Sequence, residues 1–153
     1  MNEGSSATMP LLAGMMFAAG LGIPVFAALN AGLGRQLGGP VAATSITFAV
    51  GLAISLALLA FTGVPGRAMF TFERPQIWLG AVFMLFYAIS IAFAAPRLGL
   101  ANAIFFVLLG QIVAAATIDH FGWLDAVQSS LTARRMLGIV IMAAGIYLAR
   151  RPV

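Results

Sequence analysis

Cysteine and lysine are missing from the 153 residues, and His120 is the single histidine. Without cysteine the chain has no disulfide framework, no thiolate metal ligand and no thiol nucleophile. Without lysine it has no amine for a Schiff base. No two carboxylates share one apolar segment, and Asp119 and His120 are adjacent, so on a helix their side chains point about 100° apart. These absences argue against an enzyme, and we predict neither a cofactor nor a metal site.

Charge is also scarce, at 8% of residues, whereas a soluble domain carries about 25%. Hydrophobic residues make up 62% of the chain, and the mean hydropathy is +1.06. A domain of this composition cannot cover its surface with polar groups, so its solvent must be lipid. The sequence therefore predicts an integral membrane protein.

Five apolar runs are long enough to be transmembrane helices, which need about 20 residues. Pro10 suits a helix start, and Pro96 is expected to end the third helix. Residues 1–9 are expected to form a polar N-terminal tail, and connections elsewhere are too short for a soluble domain. The predicted fold class is an all-α membrane protein, one five-helix bundle with helices at about 10–33, 40–62, 76–95, 98–119 and 133–149.

The basic residues are all arginines, and they lie at the edges of the apolar runs. Their placement is typical of membrane anchors and topology determinants, which argues against nucleic-acid binding despite a pI near 11.2. Five helices would place four arginines on each side, so the positive-inside rule gives no preferred orientation. Either a partner or one dominant helix sets the topology, or the chain inserts both ways and pairs with an inverted copy, which we favour. The two sets are Arg67, Arg74, Arg134 and Arg135 against Arg35, Arg97, Arg150 and Arg151.

Uncharged polar groups inside the apolar runs are the candidate substrate contacts. Gln111 stands near the middle of the fourth run. It could either join two helices or bind a ligand, and its position favours neither role. Pro24 removes one backbone bond and frees the carbonyl of Gly20, and interrupted helices often line transporter sites. A kink required only for packing is the alternative. Asn30, Tyr87 and Asn102 are weaker candidates of the same kind.

No ionisable residue lies at mid-membrane depth, where proton-coupled exchangers usually keep a carboxylate. Coupling to protons would therefore need Asp119 or His120 near the membrane edge, or a group on another subunit. Asp119 faces Arg134 and Arg135 across the 120–132 loop. We favour a structural ion pair over a coupling acid at Asp119, because charges at membrane edges are commonly structural.

Three segments carry a family resemblance: "GIPVFAALNAGLGRQLGGPVAATSITFAVGL", "PRLGLANAIFFVLLGQIVAAATIDHFG" and "RRMLGIVIMAAGIYL". In this order they resemble the small YdcZ-like branch of the bacterial drug/metabolite transporter superfamily, over about residues 14–150. The resemblance implies a five-helix unit equivalent to one inverted-repeat half of a ten-helix transporter, located in the bacterial inner membrane. The matching motif positions are Pro24, Asn30, Arg35, Pro96, Arg97, Gly110, Gln111, Asp119, His120 and Gly122.

One position departs from the family pattern. Where the family commonly has glutamine, two residues after the proline of the first helix, this chain has Phe26. The loss of a polar group there favours a substrate with an apolar or aromatic moiety, so Phe26 joins the candidate substrate contacts.

The leading functional hypothesis is a secondary transporter of small organic solutes that works as an antiparallel dimer, either with itself or with a related five-helix chain. One alternative is a non-transporting membrane subunit of a paired partner. A second alternative is a flippase for lipids or isoprenoid-linked carriers. All three place the protein in a lipid bilayer, and none involves nucleic acid.

Overall fold

The computed structural model of the protein describes residues 3–66 and 74–149. Within these ranges the chain forms five α-helices, in agreement with the predicted all-α class, and two short 3₁₀ turns at Pro75–Leu79 and Trp123–Asp125. The helices are α1 (Glu3–Gln36), α2 (Pro40–Thr62), α3 (Gly80–Leu98), α4 (Leu100–Phe121) and α5 (Ala133–Ala149).

The first four helical segments are long and apolar enough to cross a membrane. The fifth helix has 17 residues over its described length, which is at the lower limit for a span. The predicted boundaries of α2 and the predicted start of α5 agree with the structure, and the described part of the chain ends at Ala149. Arg67, Arg150 and Arg151, three members of the arginine tally, lie outside the described residues.

Both ends of α1 differ from prediction. The helix begins at Glu3 and not near Pro10, so residues from Glu3 to Met9 are helical, although the apolar span itself begins at Met9. Pro10 therefore lies inside the helix. A membrane helix tolerates an internal proline because neighbouring helices, hydroxyl side chains or local helix adjustments satisfy the freed backbone groups, and the proline alone was a poor boundary marker.

The third helix also passes through a proline that was expected to end it. Pro96 lies inside α3, which continues to Leu98, and the chain turns at Gly99 with φ +81°. That left-handed conformation favours glycine, so Gly99, and not Pro96, marks the break. The following helix, α4, accordingly begins at Leu100 and ends at Phe121, two residues later at each end than predicted.

The helices fall into two compact units, Met1–Arg97 and Leu98–Val153. We call them the N-terminal unit, which contains α1, α2 and nearly all of α3, and the C-terminal unit, which contains α4 and α5. The N-terminal unit has a core of small side chains. Small residues let helices approach closely in lipid, where dispersion contacts replace the hydrophobic effect. The buried apolar residues of this core are Ala27, Ala31, Ala43, Ala88, Ile91, Ala92 and Ala95.

The C-terminal unit buries much less. Asn102, Ala103 and Ala116 are its buried residues on α4, and the described part of α5 has none. Helix α4 ends at Gly122 in the left-handed conformation, where the Gly122 N–H donates to the carbonyl of Ile118. The last turn of α4 thus has a glycine cap, and the 3₁₀ turn at Trp123–Asp125 follows it directly.

Candidate functional site

A buried polar cluster joins the three helices of the N-terminal unit. The Asn30 Nδ2 group on α1 donates to the Thr44 Oγ1 atom of α2 at 3.2 Å and to the Ala88 carbonyl of α3 at 3.1 Å. The Thr47 Oγ1 hydroxyl donates to the Asn30 Oδ1 atom at 3.1 Å. Asn30 is 1% exposed and Thr44 is fully buried. We call these residues the Asn30 cluster.

The hydrogen bonds of this cluster use the whole amide group of Asn30. Both N–H groups of its amide and its oxygen are engaged within the chain. A buried polar group whose hydrogen bonds are all satisfied rigidifies and specifies a core. In this conformation Asn30, which the sequence suggested as a substrate contact, has no free donor for a ligand, and its role is to lock α1, α2 and α3 together.

Directly beside the cluster is an apolar cavity of about 590 Å³, which we call the Phe26 cavity. Its walls come from all three helices of the N-terminal unit. The Thr47 hydroxyl is the one polar side-chain group among the lining residues, and none of them is ionisable. Met84 and Leu85 are 50% and 42% exposed, so the cavity reaches the outer apolar surface of the unit. The lining residues are Phe26, Thr47, Phe48, Gly51, Ala81, Met84 and Leu85.

Two more predicted contacts lie close to this cavity. The Tyr87 ring stacks against Phe26, with ring centroids 6.1 Å apart and planes inclined by 24°. The Tyr87 hydroxyl is buried and has no hydrogen-bond partner among the described residues. Pro24, half-buried, lies two residues before Phe26 in α1, which continues as a helix on both sides of it. The structure thus brings Pro24, Phe26, Tyr87 and Asn30 into one region.

The remaining predicted substrate contacts belong to the C-terminal unit. Asn102 is buried near the start of α4, where its Nδ2 group donates to the Leu98 carbonyl at 3.0 Å. Asn102 also lines a small cavity of about 150 Å³ between α4 and α5. Gln111 lies at the middle of α4 with its side chain exposed, and its carboxamide makes no hydrogen bond to any described residue.

The charged residues at the end of α4 form a cluster with the loop that follows. The Arg135 Nη2 atom lies 2.5 Å from the Asp119 Oδ2 atom, and the two side chains are 33% and 34% exposed. Arg135 also donates to the Ser129 carbonyl at 3.2 Å. His120 accepts a hydrogen bond at Nδ1 from the Leu131 N–H at 3.2 Å. The Asp119–Arg135 pair therefore joins the end of α4 to the start of α5, and the Ser129 and Leu131 contacts hold the 120–132 loop against both helices. Arg134 is exposed.

Sequence reasoning missed several residues of this region. Thr44 and Thr47 complete the Asn30 cluster, and Phe48 and Met84 line the Phe26 cavity. The segment "TSIT" at 44–47, with three hydroxyl residues in an apolar run, was the available indication for the two threonines. Phe48 and Met84 resemble the other apolar residues of their helices, and the sequence offers nothing that distinguishes them.

The Phe26 cavity is therefore open and apolar, it lies against the Asn30 cluster, and none of its lining residues is ionisable. Over residues 11–148 the chain matches the family described as "Putative inner membrane exporter, YdcZ". The chain belongs to the YdcZ family. It is accordingly a membrane transporter of the inner membrane, as the sequence resemblance implied. No curated protein and no solved structure shows significant similarity to it.

Proposed function

We propose that this YdcZ-family chain exports small, uncharged organic molecules with an apolar or aromatic moiety, and that it does so as an antiparallel dimer. The observation that carries the substrate class is the lining of the Phe26 cavity. Two phenylalanines, a methionine and aliphatic side chains surround about 590 Å³, and none of the described lining residues is charged. A cationic or anionic substrate would find no counter-ion there.

The contacts available in this cavity are apolar surface, aromatic rings and one hydroxyl oxygen. Transfer of an aromatic ring the size of a phenylalanine side chain from water into an apolar site contributes about 1.5–3 kcal/mol. The Thr47 hydroxyl donates its hydrogen to Asn30, so its oxygen remains as an acceptor. This combination favours a substrate with a ring or a short alkyl group and one hydrogen-bond donor.

The dimer is supported by Gln111. Lipid offers no partner for a carboxamide, and a polar group without a hydrogen bond is costly in an apolar environment. Gln111 has no partner within the described chain, so a second molecule is the natural source of one. The exposed residues Gly110 and Ala114 next to it would let another helix approach closely.

The position of Gln111 favours an inverted partner. An antiparallel dimer has its two-fold axis in the plane of the membrane, so a residue meets its own copy only near mid-depth. Gln111 lies at the centre of α4, which spans Leu100–Phe121. The balanced arginine tally in the sequence, which gives no preferred orientation, agrees with insertion in both directions.

Flux in proteoliposomes that contain only the purified chain tests the transport proposal. Phe26→Ala should raise KM for a lipophilic aromatic substrate by about tenfold, because a ring contact is lost. Phe17→Ala is the matched control, since Phe17 is on the same helix, is 71% exposed and does not line the cavity. Absence of flux from the pure chain would support the non-transporting subunit instead, and equal effects of the two variants would remove the Phe26 cavity as the site.

Single-cysteine variants test the antiparallel dimer without background, because the chain has no cysteine. Gln111→Cys should form an intermolecular disulfide in membranes. Ile118→Cys is seven residues further along nearly the same face of α4, so in an inverted dimer its two copies would lie about 21 Å apart. A disulfide needs a Cβ–Cβ distance of about 4 Å. Efficient crosslinking of Ile118→Cys would indicate a parallel dimer and overturn the proposal.

A lipid or isoprenoid-carrier flippase is the second candidate function, and the opening of the Phe26 cavity at Met84 and Leu85 favours it. An acyl or prenyl chain could enter such a cavity from the bilayer side. The same proteoliposomes, loaded with a fluorescent lipid in place of the soluble aromatic compound, separate the two candidates. Flipping of the lipid without flux of the soluble compound would select the flippase.

A further inference from the structure

Two arginines line one recess at an end of the N-terminal unit. The recess has a volume of about 480 Å³ and lies between the last turns of α1 and α3 and the turn that leads into α2. Arg35 contributes from α1, Arg97 and Phe93 from α3, and Gly38 and Gly39 from the turn. Because these are helix ends, the recess is at the membrane edge. We call it the Arg35/Arg97 recess.

The described residues of the recess supply positive charge and no counter-ion. No acidic side chain is among its lining residues. Within the described part of the chain, neither Arg35 nor Arg97 forms an ion pair. Two guanidinium groups that face one recess repel each other, and an anion between them would relieve that repulsion.

The Arg97 guanidinium is held in place before any ligand arrives. Its Nη1 group donates to the Phe93 carbonyl, and its Cζ atom lies 3.6 Å from the centre of the Phe93 ring. A guanidinium has five N–H groups, so most of its donors remain available. Arginine recognises phosphate oxygens with two parallel hydrogen bonds, and a guanidinium fixed in advance loses less entropy when it binds.

The turn adds room and a favourable field. Helix α2 begins at Pro40 with no side-chain cap on its first turn, and the positive end of a helix favours an anion. An added Cβ atom at Gly38 or Gly39 would meet nothing within 4 Å. From the two arginines and this open turn we propose that the Arg35/Arg97 recess binds a phosphate group, carried by a lipid headgroup or by a soluble phosphate ester. The proposal does not rest on the transported substrate or on the dimer.

Thermal unfolding of the purified full chain in a non-ionic detergent tests the proposal. Inorganic phosphate, compared with chloride at equal ionic strength, should raise Tm by about 3–6 °C at ten times its Kd, because a ligand that binds only the folded state stabilises it. Phosphatidylglycerol, compared with phosphatidylcholine in the same micelles, is the lipid arm. A response to phosphate assigns a soluble ester, a response to phosphatidylglycerol alone assigns a headgroup, and both support the site.

Variants show whether the response belongs to this recess. Arg35→Gln and Arg97→Gln should abolish the shift, and Arg134→Gln, at an exposed arginine that does not line the recess, should retain it. Gly39→Asp keeps both arginines and places a carboxylate in the recess, so it should raise Tm without ligand and remove the response. Gly39 has φ 173°, which any residue adopts.

Gly39→Asn is the matched control for the aspartate. Asparagine and aspartate cap a helix start equally well, so the asparagine variant should keep the ligand response whereas the aspartate variant loses it. Three results would overturn the proposal: no Tm shift with either phosphate or phosphatidylglycerol, an undiminished shift in both arginine variants, or an undiminished shift in Gly39→Asp.

Discussion

The amide side chains of Asn30, in the N-terminal unit, and Gln111, in the C-terminal unit, differ in burial and in hydrogen bonding. In the N-terminal unit, Asn30 is 1% exposed, and its amide makes three hydrogen bonds to α2 and α3. In the C-terminal unit, Gln111 is exposed at the middle of α4 and makes none within the described chain. Two chemically similar side chains therefore have opposite surroundings.

This difference follows from how many side chains each unit can bury between its helices. Three helices with alanine faces leave a central space in which an amide can reach two neighbours at once. A pair of helices has no such centre, and the described part of α5 contains no buried residue. At the middle of α4, Gln111 has no partner among the described residues of its unit, and a second molecule could supply one. We infer that the N-terminal unit is stabilised largely by its own packing, whereas the C-terminal unit depends on association.

The strongest test of this contrast replaces both amides with leucine. Asn30→Leu should destabilise the protein by about 2–3 kcal/mol, because it leaves the buried Thr44 hydroxyl unpaired and removes two other bonds. Gln111→Leu, the matched control, should leave the stability of the dissociated chain unchanged. Equilibrium unfolding in detergent measures both. Equal losses would show that Gln111 has a partner within its own chain and would end the contrast.

A smaller effect, of opposite sign, is expected at Tyr87, whose hydroxyl is a buried side-chain group without a partner among the described residues. Tyr87→Phe removes a hydroxyl that is buried without a hydrogen bond, so it should stabilise the protein by about 1 kcal/mol. A fall in Tm for Tyr87→Phe would show that the hydroxyl is satisfied, by water or by a ligand.

Replacing Gln111 by leucine should weaken the association of two chains only slightly. A hydrogen bond between membrane helices contributes about 0.6 kcal/mol on average, so Gln111→Leu should raise the dimer dissociation constant by about threefold. Dilution of labelled protein in detergent micelles, followed by energy transfer, measures this constant. If the dimer is unchanged but the apparent affinity for a transported solute falls, the carboxamide contacts substrate and not a second chain.

The smallest change is expected at the ion pair of the C-terminal unit. Asp119 and Arg135 are each about one-third exposed, and pairs of this kind contribute about 0.2–1 kcal/mol. Arg135→Gln and Asp119→Asn should each lower stability by no more than this, and the pH profile of flux should keep its shape. A pH-dependent flux that becomes pH-independent in Asp119→Asn would identify Asp119 as a coupling acid.

The sequence indicated part of the candidate site because some residues are unusual in lipid at any position. Pro24, Asn30 and Gln111 stand out within apolar runs, and Phe26 stands out against the family pattern, so each could be found without a structure. Met84 and Phe48 could not. An apolar residue on a membrane helix can face lipid, a neighbouring helix or a cavity, and with apolar groups on every side the hydrophobic pattern does not separate these cases.

What the sequence by itself determined is the solvent and the number of helices. A helix in lipid must be long and apolar, and its backbone hydrogen bonds must be satisfied internally. The composition and the lengths of the apolar runs are enough to recognise such helices. The family followed from the order of its motifs. Helix ends were less secure, because Pro10 and Pro96 are tolerated inside helices that lipid stabilises.

What only the tertiary structure decided is the surroundings of each polar group. Asn30 and Gln111 are both amides in apolar runs, and the sequence offered each of them as a substrate contact. Whether an amide is buried and hydrogen-bonded depends on which helices pass within about 3 Å of it. For Asn30, the partners lie 14 and 58 positions away along the chain. The same holds for Arg35 and Arg97, which the sequence placed on one side of the membrane and only the packing of α1 against α3 brought to a single recess.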